Sequence, residues 1–269
     1  MAHQNRLANA HVLVFGGTSG IGFAIANMAL SYGAKVTISG SSQPKVDTKV
    51  EHLRSLYPNT PATNVAGFAA DLTDKANLER NIGSVLDKAT ENGTKKIDHI
   101  AFTPGDSLRV ANIAQVDIST VFDAFTVRFL APCALAKLIV NGDYMPKSSN
   151  SSIILTAGAN TKRPLPDWAV MAALGGSLEG LTRGLAVDMV PIRVNLVNPG
   201  AIHTELLQKV LDTLPAEAVE GIKQGSSLLG EIGRPEDIAE AYGWIMKDRF
   251  ANGAEVNSDG GRYLASSTS

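Results

Sequence analysis

Three glycines, Gly16, Gly20 and Gly22, punctuate VLVFGGTSGIGFAIA between an apolar run and a helical pattern. Glycine there permits a tight turn, close backbone approach to a pyrophosphate and close helix packing. A helix beginning at such a turn offers unpaired N–H groups and a partial positive charge to an anion. Three glycines alone fit any tight turn; their place at the head of a strand–turn–helix repeat gives them meaning. A second group carries side-chain chemistry. TKRPLPDWAVMAA (161–173) contains Asp167 and Trp168, and VFDAFTVRFLAPCALAK (121–137) contains Arg128. Asp167 could pair with a cationic nitrogen or relay a proton. Trp168 presents a flat face to an aromatic or cationic group. Arg128 could pair with Asp167, orient a carbonyl or hold a dinucleotide. Each residue also has a plainer role: Asp167 as a helix N-cap, Trp168 as a pocket wall or subunit contact, Arg128 as one half of a structural ion pair. Met171 suits pocket lining, because a thioether packs adaptably.

These side chains need a frame. Short apolar runs at 11–17, 35–42, 64–74, 97–105, 151–159, 192–200 and 254–261 read as strands or strand ends. Helical patterns lie between them, at 20–33, 45–58 (apolar at Val46, Val50, Leu53 and Leu56), about 117–140 and 167–189. Strands alternating with longer helices predict βαβ units: an α/β fold with a doubly wound, Rossmann-type parallel sheet covered on both faces. No repeat or linker divides the chain, so residues 1–269 are expected to form a single dinucleotide-binding domain. The C-terminal ASSTS (265–269) is expected to fray.

The motifs follow a familiar order. GGTSGIG (16–22), AADLTD (69–74), NPGAIHTEL (198–206), EIGRPEDIAEAYGWIM (231–246) and NSDGG (257–261) resemble the short-chain dehydrogenase/reductase superfamily across nearly the whole chain. The resemblance implies a dinucleotide site built from Gly16, Thr18, Ser19, Gly20, Ile21 and Gly22. Asp71 and Leu72 would lie at the adenine. Thr103, Pro104 and Gly105 of FTPG, and Pro199, Gly200, Ile202 and Thr204, would complete the nicotinamide side. After the second strand, ISGSSQPK (38–45) lacks the carboxylate that binds ribose hydroxyls in NAD sites. Ser41 and Ser42 can donate hydrogen bonds and Lys45 adds charge, which favours NADP(H). Solvated loop serines are the plainer reading.

The resemblance also implies four catalytic residues, and none is present. Met171 stands where the superfamily has its tyrosine and Gly175 where it has its lysine. Gly158 (Ala157 in the adjacent register) replaces the serine, and Arg128 the asparagine. Between 148 and 181 there is one lysine, Lys162, and no tyrosine. Reduction of a carbonyl builds negative charge on oxygen and needs a donor in place; methionine and glycine supply none. An iminium carbon accepts hydride without simultaneous protonation. It asks for a held nicotinamide, an apolar or aromatic wall and a carboxylate favouring the cation. Missing catalytic residues, Arg128, and the pattern W…GGSLEGLTRGLAVDMVPIRVN resemble fungal NADP(H)-dependent reductase/Diels–Alderases of bicyclic indole alkaloid pathways, of malbrancheamide and paraherquamide type. That resemblance implies an arginine and an aspartate near the nicotinamide. Arg128 carries over by position; Asp167 sits directly before Trp168, and Leu165 occupies the alternative spacing. Three functions remain open: an NADPH-dependent enzyme acting on an imine or iminium of a bulky, aromatic metabolite with coupled cyclisation; a non-redox cyclase using the dinucleotide as a wall; a non-enzymatic dinucleotide sensor or partner. NPGAIHTEL argues against the last, since a mere adenosine binder would not need a nicotinamide side.

Composition bounds the rest. With 269 residues and 44% hydrophobic content, a large core is available. A net charge of −2 gives no general pull toward nucleic acid or anionic membrane. The single cysteine, Cys133, excludes an internal disulfide and a CxxC metal motif. No metal site is expected, nor a secretory signal or membrane span, and the expected location is the cytoplasm. The helices at about 117–140 and 167–189 are apolar on more than one face, which predicts a homo-oligomer.

Overall fold

The computed structural model describes residues 2–105, 110–212 and 214–265; residues 266–269 of the expected frayed tail lie outside the described residues. Seven strands form one parallel sheet: β1 (His11–Phe15), β2 (Lys35–Gly40), β3 (Val65–Ala69), β4 (His99–Phe102), β5 (Ser152–Thr156), β6 (Arg193–Pro199) and β7 (Glu255–Ser258). Their order is β3-β2-β1-β4-β5-β6-β7, so the winding reverses between β1 and β4. The carboxyl ends of β1 and β4 therefore diverge into a crevice, where sheets of this kind bind ligands.

Each strand sends alternate residues to opposite faces, and both faces are covered. Leu13 and Phe15 join Leu78, Ile82, Val85 and Leu86 of α3 (Leu78–Ala89), with α4 (Ala131–Asn141) and α5 (Ala169–Asp188). Val12 and Val14 join α1 (Gly20–Ser31), α2 (Gln43–Leu56) and α8 (Pro235–Lys247). Val12, Leu13, Val14 and Phe15 have no exposed surface. Burying each such side chain contributes about 1.5–3 kcal/mol, which fixes the strand whose end carries the glycine loop. On α2, Val46, Val50 and Leu53 are buried as their spacing predicts. Leu56 departs from that pattern: it is 47% exposed, at the last turn beyond the core.

The helix expected over 117–140 is not continuous. Val121–Asp123 is a 3-10 turn, Thr126–Leu130 is π-helical, and α4 starts only at Ala131. Pro132 explains the break. It has no N–H to give the Arg128 carbonyl four residues back, so the preceding turn cannot close as an α-helix. The Ala131 N–H instead reaches the Thr126 carbonyl, five residues back. Two further helices, α6 (Glu205–Leu211) and α7 (Ala216–Ser226), follow β6.

Candidate active site

The crevice begins with the glycine loop. Gly16 and Gly20 have φ of +77° and +48°, in the region that L side chains rarely adopt. Close packing adds a second requirement at Gly22. A Cβ there would lie 2.2 Å from the Gly16 carbonyl oxygen and 2.6 Å from Thr103 Oγ1. Thr103 is itself fixed, donating its hydroxyl hydrogen to the Phe15 carbonyl at 2.8 Å. Ser19 is the N-cap of α1, in extended conformation, and its hydroxyl caps nothing. The first N–H groups of α1 thus have no side-chain cap from Ser19, which leaves them to an anion. Thr18 is buried and packs on Gly40 at the end of β2, where a Cβ would meet its Cγ2 at 2.6 Å. Ile21, on the first turn of α1, packs against the core.

Around this loop stand the other expected contacts. Ser41 and Ser42 are exposed; Ser42 is the N-cap of α2 and its hydroxyl also caps nothing, so it is available to an anion beside Lys45. Leu72 is buried, while the Asp71 carboxylate is exposed and accepts from Thr73 Oγ1 at 2.6 Å and Thr73 N–H at 2.8 Å. Those bonds hold it below the usual carboxylate range. Opposite, Thr204 closes on Gly20, its Cγ2 lying 2.9 Å from where a Cβ would stand. Ile202 is buried and bridges to Gly233. Gly200, following Pro199, lets the Asp259 backbone approach to 2.8 Å of its missing Cβ. Glycine, threonine and proline residues thus leave a cradle at an uncapped helix N-terminus, a shape and polarity that fit a dinucleotide.

Beyond the cradle, the positions where the resemblance expects catalytic residues show two different kinds of space. Gly158 opens room: a Cβ there would meet only the Pro199 carbonyl, at 3.9 Å. Gly175 does not. A Cβ on it would fall 1.9 Å from Thr161 Oγ1 and 2.9 Å from Thr161 Cβ, so Thr161 fills the start of the path a lysine would take. Met171 lies half-buried on the first turn of α5. Lys162 offers no substitute. It is paired with Glu255 of β7 and lies 3.6 Å from Glu179, interactions that raise its pKa, hydrogen bonding to Glu255 most. Tyr263 senses the Lys162 charge, but its hydroxyl is sealed within the protein and burial pushes its pKa up. A tyrosine–lysine pair at this position cannot serve a substrate in the crevice.

Arg128 occupies the middle of the π-helical turn, a geometry often found at functional sites. Its guanidinium lies over Gly105: a Cβ there would meet Nη2 at 2.5 Å and Cζ at 2.9 Å. The glycine of FTPG is therefore what lets the arginine reach the end of β4. Asp167 is exposed, with φ +68°, and Trp168, half-buried, is the N-cap of α5. Asp167 is thus one residue outside the capping position. Its carboxylate accepts from Asn112 Nδ2 at 3.0 Å and its carbonyl from Ala111 N–H at 3.3 Å.

Asn112 and Thr161 are the residues that sequence reasoning missed. Their partners lie 55 and 14 positions away, and no motif or periodicity marks either one. A separate open cleft of about 1000 Å³ runs between α6, α7 and the start of α8, lined by His203, Leu211, Val219, Glu220, Lys223 and Arg234 among others. None of the glycine-loop residues lines it. The glycine loop after β1 and Arg128 over Gly105 just after β4 make the crevice the candidate site. Among the described residues, no His/Cys/Asp/Glu group could hold a metal ion, and no helix is long and apolar enough to cross a membrane.

Comparison with known proteins agrees with this architecture. An SDR-like Rossmann domain is matched over residues 3–265. The short-chain dehydrogenase/reductase malC of Malbranchea aurantiaca is 39% identical over 261 residues, covering 97% of each chain. Its solved structure, described as a reductase/Diels–Alderase, superposes with a TM-score of 0.88 over 97% of this chain and 100% of that one. The short-chain dehydrogenase/reductase fsr5 of Gibberella fujikuroi is 36% identical over 264 residues, covering 98% of each.

Proposed function

Because this chain belongs to the short-chain dehydrogenase/reductase family, we propose that it is an NADPH-dependent enzyme of fungal-type secondary metabolism acting on an imine or iminium group of a bulky aromatic substrate, with cyclisation coupled to the reduction. What supports this reading is a contrast within one crevice: glycines shape a cradle that fits a dinucleotide, while Met171, Gly175 and Gly158 fall where the resemblance expects proton-handling residues. The name of the relative at 39% identity, a reductase/Diels–Alderase, supports coupled cyclisation. When bound, NADPH supplies the hydride. The N-terminus of α1 and Ser19 would hold the pyrophosphate, and Ser41, Ser42 and Lys45 the 2′-phosphate. Arg128, set over Gly105, would orient the substrate or the dinucleotide. Trp168 would give its face to the flat substrate, and the Asp167 carboxylate would favour its positive charge. Met171 and Gly158 would line the pocket. We place residues 1–269 in one dinucleotide-binding domain, in the cytoplasm, as a homo-oligomer without nucleic-acid or membrane partners.

The test is NADPH consumption with a cyclic imine as substrate. Wild type should consume it, and Arg128→Ala and Asp167→Ala should each lose at least tenfold in kcat/KM, about 1.4 kcal/mol of transition-state stabilisation. Full activity in both variants would remove these two residues from the site. The absence of a proton donor also suits a cyclase that uses the dinucleotide only as a wall. In that case NADP⁺ would serve as well as NADPH and no net oxidation would accompany product.

A further inference from the structure

Leu165-Pro166-Asp167-Trp168 is a turn closed by the Trp168 N–H on the Leu165 carbonyl at 3.2 Å. Proline at its second position and a positive φ at its third, +68° at Asp167, give it type II character. Glycine or asparagine is the residue such a third position favours. Aspartate also tolerates this backbone, and here its neighbours hold it. Those neighbours are Ala111 and Asn112. Consecutive residues of one loop bind both acceptors of Asp167: the Ala111 N–H its carbonyl at 3.3 Å, and Asn112 Nδ2 its carboxylate at 3.0 Å. The other end of the Asn112 amide is also committed, Oδ1 accepting the Ala114 N–H at 3.0 Å. That fixes the amide's sense. Flipping it would set NH₂ against an N–H and oxygen against a carboxylate.

From these contacts we infer that Asn112 is a positioning residue: it braces the loop after β4 to the Leu165–Trp168 turn and so sets the half-buried Trp168 ring at the head of α5. The assignment rests on the proposed placement of Trp168 against the substrate, and it gives Asp167 a second task beside its charge. Neither aspartate nor alanine at position 112 can do the same: aspartate keeps the bond from Ala114 but turns a donor into a like charge facing Asp167.

The chain has two tryptophans, Trp168 and Trp244. In a Trp244→Phe background, acrylamide quenching of fluorescence reports Trp168 alone. Asn112→Asp should increase Trp168 quenching, with about a fivefold rise in the population of the unbraced loop, equivalent to about 1 kcal/mol. The reciprocal double variant N112D/D167N should return quenching to the wild-type value. There the amide introduced at position 167 donates to the carboxylate introduced at position 112, and asparagine tolerates the left-handed backbone. D167N alone should leave quenching unchanged, since its Oδ1 still accepts from Asn112. Wild-type quenching in N112D, or no recovery in the double variant, overturns the brace. Turnover of the cyclic imine separates this from the charge assigned to Asp167. A D167N variant with Trp168 fixed and full activity ends the charge role and leaves the brace standing; one with Trp168 fixed and activity lost supports both.

Discussion

Replacing Gly175 with alanine should destabilise the protein, although glycine in a helix interior is ordinarily improved by that change. The propensity gain is about 1 kcal/mol. Against it, the new Cβ would lie 1.9 Å from Thr161 Oγ1, 2.9 Å from its Cβ and 3.0 Å from its Cγ2. Rotating the threonine moves two of those atoms but not the third, so the backbone of the turn at Ala159–Thr161 or of α5 must shift. Overpacking of this kind costs about 1–3 kcal/mol. Gly176, the next residue, is exposed and a Cβ there would meet nothing within 4 Å. The same substitution on adjacent residues of one helix cancels the propensity term and leaves the clash. At about 2–4 °C per kcal/mol for a chain of this size, the Tm of Gly175→Ala should fall roughly 2–12 °C below that of Gly176→Ala. Calorimetry at one protein concentration measures both. The double variant T161G/G175A should recover part of the loss, with a coupling of about 1–3 kcal/mol. Equal Tm values for the two alanine variants, with no coupling to Thr161, would refute the claim that Thr161 fills the lysine's place.

Three other outcomes are expected. Gly22→Ala would place a methyl 2.2 Å from a backbone oxygen inside the cradle; NADPH affinity by fluorescence titration should fall more than tenfold, and an unchanged affinity would remove the loop from the dinucleotide site. His99 is buried against Ser152 Oγ at 2.9 Å, and burial followed by the Arg193 charge holds its pKa at about 3. The folded value lies below the unfolded 6.5, so the unfolded chain takes up the proton first. His99 therefore contributes stability above pH 6.5 that is lost as pH falls from 6.5 toward 3. At pH 5 the loss is about 2 kcal/mol; urea unfolding should show it in wild type and not in His99→Gln, and parallel profiles would contradict it. Finally, Gly180 and Val187 leave an exposed small and apolar face on α5. Gly180→Leu should reduce the mass seen by light scattering toward that of one chain, whereas an unaltered assembly would move the subunit contact elsewhere.

The sheet was legible because each strand is an apolar run ended by a turn residue, and buried parallel strands tolerate little else. The glycine turn was marked locally, by Gly16, Gly20 and Gly22 between β1 and α1, but the residues that pack on it, Thr103 and Thr204, come from distant parts of the chain. The helix over 117–140 was misread because apolar periodicity continues through it, and only Pro132 marked the break. Its consequence, a π turn centred on Arg128, depends on which carbonyl loses its donor. Asp167 was ambiguous between cap and charge. The partner that holds it, Asn112, lies on a different loop, 55 positions away. Thr161 carries no sequence signal, because a glycine at position 175 does not reveal that the volume beside it is filled from the facing turn.

The central claim is that this site transfers hydride without a proton donor. It is tested by mixing the protein with NADPH deuterated at nicotinamide C4, and with either a preformed cyclic iminium ion or the ketone of matching shape. The expected result is one deuterium on the former iminium carbon, one NADPH oxidised per product, and no reaction of the ketone. Reduction of the ketone at a comparable rate would contradict the claim, as would product formed equally well with NADP⁺.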